Sequence, residues 1–125
     1  MTSYTGMYAV IPASDLERAR RFYEVRLGFS QGVAVGDGIL YTVAGSQVLL
    51  YETRFAGTAE HTILTLRVDD LQATVAELRA KGVVFEDYDF PGLTTVDGIA
   101  DLGDELAAWF KDSEGSIVGV IQQVG

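Results

Sequence analysis

The sequence predicts an α+β fold built from two tandem βαβββ modules, and three observations support this. An apolar strand, an acidic helix start, an amphipathic helix and a Gly–apolar ending follow one another from Tyr8 to Phe29. A similar series returns between Ile63 and Phe85, about 55 residues later. Each half also contains a hairpin with a Gly-Ser turn, at 45–46 and 115–116. Two such modules can form a curved, mostly antiparallel sheet with helices on its outer face.

The first module covers about residues 5–53. Its first strand is predicted at 7–11, and Ser14 or Asp15 is expected to cap the helix that follows. Apolar residues recur along this helix at steps of three and four up to Leu27, which is typical of a helix packed against a sheet. Gly28 ends the helix. Alternating apolar residues between glycine-containing turns then predict three short strands, at about 31–36, 39–44 and 47–53.

A connector at 54–60 leads into the second module, at about 61–123. We expect a strand over 61–68, a helix that starts at Asp69-Asp70 and ends at Gly82, and a short strand over 83–86. The stretch 87–104 is expected to be irregular, and loops of this length are usually functional lids or disordered. The last hairpin is predicted at 106–111 and 116–122. Without a Pro-rich linker, residues 1–125 are expected to form a single domain.

Composition limits the classes of function. The chain carries 18 acidic and 9 basic residues, a formal charge of −9, and no cysteine. A disulfide framework and a thiolate metal site are therefore excluded. Nucleic acid and anionic membrane are not expected as partners, because both require a basic face. No apolar run approaches the roughly 18 residues of a membrane span, and no signal peptide is recognisable. We expect a cytoplasmic protein without a processed segment.

Three stretches resemble the vicinal oxygen chelate superfamily, which includes glyoxalase I, bleomycin-resistance proteins and extradiol dioxygenases. Residues 14–29 are similar to the family's D-L-x-x-(A/S)-x-x-F-Y…L-G-F signature, and Val68-Asp69-Asp70-Leu71 through Lys81-Gly82-Val83 is similar to its counterpart in the second half. Residues 108–116 resemble the closing F-x-D-P-(D/E)-G-N turn, with Ser113 in place of Pro and Ser116 in place of Asn. The resemblance covers nearly the whole chain.

The resemblance implies where a metal would bind. Members that use a metal carry His, Gln or Glu on the first strand of each half and Glu on the last strand. The corresponding residues here are Tyr8, Ile63, Leu49 or Leu50, and Gly119. Since aliphatic residues and glycine have no side-chain donor for a divalent cation, we expect a degenerate site with no metal and no cofactor. A shifted site that uses His61 and Glu52 beside Tyr8 stays open as an alternative.

The leading hypothesis is a bleomycin-resistance-like binder that encloses an apolar or aromatic small molecule on the concave sheet. The residues expected to line the site of this ligand are Tyr8, Tyr41, Leu50, Glu52, His61, Ile63, Trp109 and Gly119. One alternative is a glyoxalase-like lyase or related enzyme, with Tyr8, Glu52 or His61 as general acid or base. The other is an enzyme with the shifted divalent-metal site. The resemblance also implies a homodimer, and it leaves open whether one chain or two form the concave site.

Overall fold

The computed structural model describes residues 2–125, and its first half forms a four-stranded sheet. Its strands lie in the order β1-β4-β3-β2, with β1 parallel to β4 and the other pairs antiparallel. Alternating burial along β3 and β4 shows that one face of the sheet is covered and the other is more accessible. The strand bounds are Ala9–Ala13 (β1), Val33–Val35 (β2), Gly38–Val43 (β3) and Ser46–Glu52 (β4).

The second half repeats this arrangement with the strand order β5-β10-β9-β8, and β5 is parallel to β10. The strands are Thr62–Arg67 (β5), Ala100–Asp101 (β8), Glu105–Lys111 (β9) and Ile117–Gln123 (β10). The α+β class and the doubled βαβββ pattern are thus confirmed. The predicted continuous sheet is resolved as two four-stranded sheets, whose edge strands β1 and β5 lie in contact.

The stretch between the second helix and β9 differs most from the prediction. Residues 83–86 form no strand, and only Phe85 makes an isolated bridge, to Phe110. The expected irregular stretch 87–104 instead contains a two-stranded ribbon and β8. The ribbon strands are Asp89–Phe90 (β6) and Leu93–Thr94 (β7). Such short strands leave little periodicity in the sequence to detect.

Both helices begin at aspartate caps. Asp15 accepts a hydrogen bond from the Arg18 N–H at 3.0 Å and starts α1, Leu16–Arg21. Asp70 accepts from the Ala73 N–H, also at 3.0 Å, and starts α2, Leu71–Ala80. These bonds satisfy backbone donors that have no partner within the first helical turn.

A π-helical turn, Phe22–Arg26, continues α1. The Leu27 N–H donates to the Phe22 carbonyl at 3.1 Å, a bond that spans five residues instead of four. The turn holds Phe22 and Tyr23 as neighbouring buried side chains with their rings edge to face. Gly28 then takes a φ of +78°, which ends the helical segment.

The two halves share one hydrophobic core. It includes Ile11 and Tyr23 from the first half together with Leu71, Phe110 and Val118 from the second. Phe22 reaches across the boundary, with its ring centroid 6.0 Å from that of Phe110. The helix-bearing faces of both sheets therefore contribute to this core. We call the opposite face of each sheet its open face.

Candidate functional site

The open face of the second sheet is formed around Trp109. Its neighbours Ala108 and Phe110 are fully buried in the core, so strand alternation directs the Trp109 side chain to the other face. Gly119 lies opposite Trp109 in the antiparallel register, and Thr65 is the partner of Gly119 on the parallel side. A Cβ atom on Gly119 would lie 3.3 Å from the indole nitrogen and 3.2 Å from Thr65 Oγ1. The indole therefore rests against the Gly119 backbone.

Two aromatic residues of the stretch 87–104 extend this surface. Tyr88 meets Trp109 edge to face with ring centroids 5.6 Å apart, and Phe90 meets Tyr88 at 5.8 Å. Partial burial, and then the negative charge of Glu86, raise the pKa of the Tyr88 phenol. Because Phe90 is 52% exposed, this aromatic cluster borders solvent and is not part of the closed core.

The open face of the first sheet is apolar and largely aliphatic. Val10, Leu49 and Tyr51 alternate with core residues along β1 and β4, and Tyr8 stands two residues before Val10. The exposed fraction is 65% for Val33 on β2 and 39% for Tyr51. Exposed apolar side chains that are contiguous on one face mark a binding or association surface more often than scattered ones do.

A groove of about 290 Å³ lies where this face meets the connector 54–60. Pro12, Tyr51, Phe55 and Ser116 are among its lining residues. The Ser116 side chain is buried, and its Oγ has no hydrogen-bond partner within residues 2–125. Buried hydroxyls without a hydrogen-bond partner are uncommon. The Ser116 hydroxyl is therefore a polar group in an otherwise largely apolar groove.

Two expected ligand-binding residues are corrected by the structure. Leu50 and Tyr41 belong to the core side of the first sheet, and both are almost completely buried. The Tyr41 hydroxyl donates to Glu24 at 2.8 Å, and Glu24 in turn pairs with Arg20 at 2.9 Å. Burial, and then the bond to Glu24, raise the pKa of Tyr41 above its ordinary value. Neither side chain lies on an open face.

The three candidate acid–base residues lie at strand ends. Tyr8 precedes β1, and Glu52 is the last residue of β4, in the same alternation as the core residues Val48 and Leu50. His61 is exposed in the bend before β5. Among the described residues, no hydrogen bond or ion pair joins any two of them. The structure therefore does not assemble these side chains into a catalytic group.

The residues at the family's metal positions do not suit a metal ion. Ile63 and Leu49 are aliphatic, Leu50 is buried in the core, and Tyr8 is a single phenol. At Gly119, the Cβ atom of a glutamate would lie within 3.3 Å of the Trp109 indole nitrogen, so the indole occupies the space next to this position. Within residues 2–125, no group of three or more His, Cys, Asp or Glu side chains is arranged to hold a metal. This donor set does not fit a transition metal, which requires several nitrogen, oxygen or sulfur ligands.

The β9–β10 turn holds polar residues whose role the sequence analysis did not identify. Glu114 is buried and accepts hydrogen bonds from the Ser14 and Asp15 N–H groups at 2.9 and 2.8 Å. Arg18 adds two further bonds to the same carboxylate, from Nε at 2.8 Å and Nη2 at 3.1 Å. Burial alone would raise the pKa of Glu114, but the bonds from Arg18, Asp15, Ser113 and Ser14 hold it at about 2.

Asp112 completes this group of contacts, which we call the turn network (Ser14, Arg18, Tyr23, Asp112 and Glu114). The Tyr23 hydroxyl donates to Asp112 Oδ2 at 2.6 Å, and the Glu114 and Ser116 N–H groups donate to Oδ1 at 2.9 Å. Burial raises the pKa of Asp112 despite these three donors, and burial also raises the pKa of Tyr23. The network joins the halves, and its acceptors are occupied, so its role is structural.

Comparison with known proteins identifies the family. The family model described as "Glyoxalase/Bleomycin resistance protein/Dioxygenase superfamily" matches residues 7–117. The chain therefore belongs to this superfamily, and the resemblance found in the sequence is confirmed. No curated protein matches the sequence. Within the described residues, no helix is long and apolar enough to cross a membrane.

Solved structures share the fold over nearly their whole length. UcmS2 is 17% identical with a TM-score of 0.74, covering 96% of this chain and 98% of its own. TnmS3, an antibiotic binding protein from Streptomyces sp. CB03234, is 23% identical with a TM-score of 0.66 and covers 99% of both chains. A lactoylglutathione lyase from Agrobacterium tumefaciens is 15% identical with a TM-score of 0.67, covering 97% and 96%. Since binder and enzyme share this fold, similarity at this level does not assign an activity.

Proposed function

We propose that this protein binds an apolar, aromatic small molecule on the open face of its second sheet, without a metal. The observation that carries the proposal is the partly exposed cluster of Trp109, Tyr88 and Phe90, set beside a glycine where the family's metal users have a glutamate. Aromatic edges and faces favour offset or edge-to-face contact with a flat ligand. The similarity to an antibiotic binding protein agrees with this class of ligand.

The first test measures ligand binding at Trp109. Flavone is a suitable probe because it is planar, conjugated and uncharged, so the −9 charge of the chain does not attract it. Isothermal titration should give saturable binding with one site per chain. Trp109→Ala should weaken it about 5- to 150-fold, because the stacking of a flat ring on an aromatic side chain contributes about 1–3 kcal/mol. Tyr41→Phe serves as the matched control, since Tyr41 is 1% exposed and faces the core. Equal affinity for Trp109→Ala and the native protein would contradict the proposal.

The second test addresses the metal. Titration with Mn²⁺, Ni²⁺ and Zn²⁺ should show no tight site, because Ile63, Leu49 and Gly119 supply no ligand atoms from their side chains. Metal content after purification should also be well below one ion per chain. A single tight site per chain would overturn the metal-free proposal and favour the shifted site at His61 and Glu52. Alanine substitution of His61, the one histidine, would then decide that alternative.

We further propose a homodimer in which the open face of the first sheet is covered. Val10, Val33, Val35 and Tyr51 are all exposed on this face, and covering them removes apolar area from water. Sedimentation velocity at micromolar concentration should give twice the chain mass of 13.5 kDa. Val33→Glu should shift the distribution towards the single chain, whereas Val84→Glu, on another exposed valine, should not. A single-chain mass for the native protein would refute the dimer.

A further inference from the structure

A separate cleft lies between the two halves, along the edge strand β5. It has a volume of about 720 Å³, within the range of small-molecule sites. The first half contributes the end of its helical segment and the β3–β4 hairpin, while the second half contributes β5 and α2. Val48 and Leu64 have the core-facing alternation, whereas Thr65 and Arg67 have the alternation of the open face. The cleft therefore follows the edge of β5 and receives side chains from both faces of that strand.

The walls of the cleft are apolar. Val43, Leu64, Leu66 and Val68 all line it and are only partly buried, although each packs against the core. These side chains leave apolar area accessible on the cleft side. An apolar ligand body that fills the gap would remove this area from water, which is the main driving force for such binding.

The rim of the cleft carries two cations. Arg67 and Lys81 both line it, and neither forms an ion pair within the described residues. Lys81 reaches towards the first half, since its Nζ lies 3.8 Å from where a Cβ on Gly28 would stand. Glu77 is the one carboxylate among the lining residues of the cleft. The rim is therefore net positive on a chain whose formal charge is −9.

One direct contact joins the two halves beside the cleft. Arg26, in the π-helical turn of the first half, donates from Nη1 to the Gly82 carbonyl at 2.9 Å. Gly82 directly follows Lys81 at the end of α2. This exposed bond joins the two helix ends beside the lining residues Leu27 and Lys81.

From these contacts we propose that the cleft binds an amphipathic small molecule with an apolar body and one anionic group, an aryl or alkyl carboxylate or sulfonate. The apolar body lies against Leu64, Leu66 and Val43, and the anion is held by Arg67 and Lys81. An anion satisfies both unpaired cations, whereas a cationic ligand would meet them with like charge. This site is independent of the proposed function at Trp109.

The test uses 1-anilinonaphthalene-8-sulfonate, whose aromatic body and sulfonate match this chemistry and whose fluorescence reports transfer from water. We expect saturable binding with one site per chain. The double variant Arg67→Gln/Lys81→Gln should weaken it about tenfold, since it removes both charge-assisted contacts. Arg54→Gln/Lys111→Gln is the matched control, because it changes net charge equally at exposed residues outside the cleft lining. That control should stay within about twofold of the native affinity.

Two further readouts locate the probe. Methyl resonances of Leu64, Leu66 and Val43 should shift on titration, and Trp109→Ala should leave the affinity within about twofold. Three results would overturn the proposal: no saturable binding, equal weakening by the two double variants, or loss of binding in Trp109→Ala. The last result would place the probe on the open face, and it would support the separate proposal made for Trp109.

Discussion

The turn network and the open face of the second sheet are both built around β9 and β10, yet they differ in how their functional groups are used. In the network, the Glu114 carboxylate accepts bonds from two backbone N–H groups and from Arg18, and Asp112 accepts three more. On the open face, Trp109 and Tyr88 make aromatic contacts and remain partly accessible. Saturated polar groups stabilise the fold, whereas accessible aromatic groups remain available to a ligand.

The largest expected effect lies in the turn network. Glu114→Ala should lower the free energy of unfolding by about 3 kcal/mol, because it leaves the Ser14 and Asp15 N–H groups and Arg18 without their acceptor. Urea unfolding followed by circular dichroism measures this change. Glu17→Ala is the control in the same helix start, and as an exposed site it should cost less than about 0.5 kcal/mol. If both variants lowered the free energy of unfolding equally, Glu114 would have no special role in the stability of the turn network.

Acid sensitivity should come from the same carboxylate. The pKa of Glu114 is about 2 in the folded chain against an ordinary 4.5, so its contribution is complete above pH 4.5 and is lost as the pH falls towards 2. Asp112 acts in the opposite direction, because its raised pKa favours folding when it is protonated.

Comparison with Glu114→Gln isolates the Glu114 contribution to acid sensitivity. Between pH 4.5 and 2, the free energy of unfolding should fall more steeply for the native protein than for this variant. Parallel curves for the two proteins over that interval would contradict the assignment.

A smaller loss is expected for Tyr23→Phe. It removes the hydroxyl that donates to Asp112 Oδ2 at 2.6 Å, and leaves a buried carboxylate oxygen without a donor. The free energy of unfolding should fall by about 1.5–3 kcal/mol, as is typical for a hydrogen bond to a charged group. Flavone affinity should stay unchanged, since Tyr23 lies in the core; a change in affinity with no change in stability would reverse this interpretation.

The smallest effect is expected for Tyr41→Phe. Its hydroxyl donates to Glu24, which is partly exposed and also pairs with Arg20, so water and Arg20 compensate for the lost bond. We expect a loss of about 1 kcal/mol in thermal or urea unfolding. Unchanged flavone affinity would agree with the core position of Tyr41. Weaker binding would indicate that Tyr41 contributes to the ligand site.

Local signals made most of the fold predictable. Asp15 and Asp70 are N-caps followed by amphipathic helices, and the glycine turns at 36–38 and 45–46 set the hairpin of the first sheet. Which face of each strand packs against the core was harder to predict. Val48-Leu49-Leu50-Tyr51 is apolar on both faces, so its alternation does not reveal which side is covered. The expectation for Leu50 comes from the family's last-strand position, and that for Tyr41 from its being an aromatic residue on a strand; neither observation shows which face is covered.

The turn network could not be found by local reasoning. Glu114 contacts residues about 100 positions earlier in the chain, and no periodicity encodes such a pair. The resemblance marked 108–116 as a family turn without assigning a bond to Glu114. The sequence does not show which of the neighbours Trp109 and Phe110 faces the core, and the complete burial of Phe110 assigns Trp109 to the open face.

We propose that the open face of the second sheet, and not the turn network, receives a ligand. Trp109 is the single tryptophan, so its indole N–H gives one resolved resonance. In a nuclear magnetic resonance titration with flavone, this resonance should shift saturably while the Asp112, Glu114 and Ser116 amides stay in place. Saturable binding that leaves the indole resonance unmoved, or that shifts the three turn amides instead, would contradict the claim.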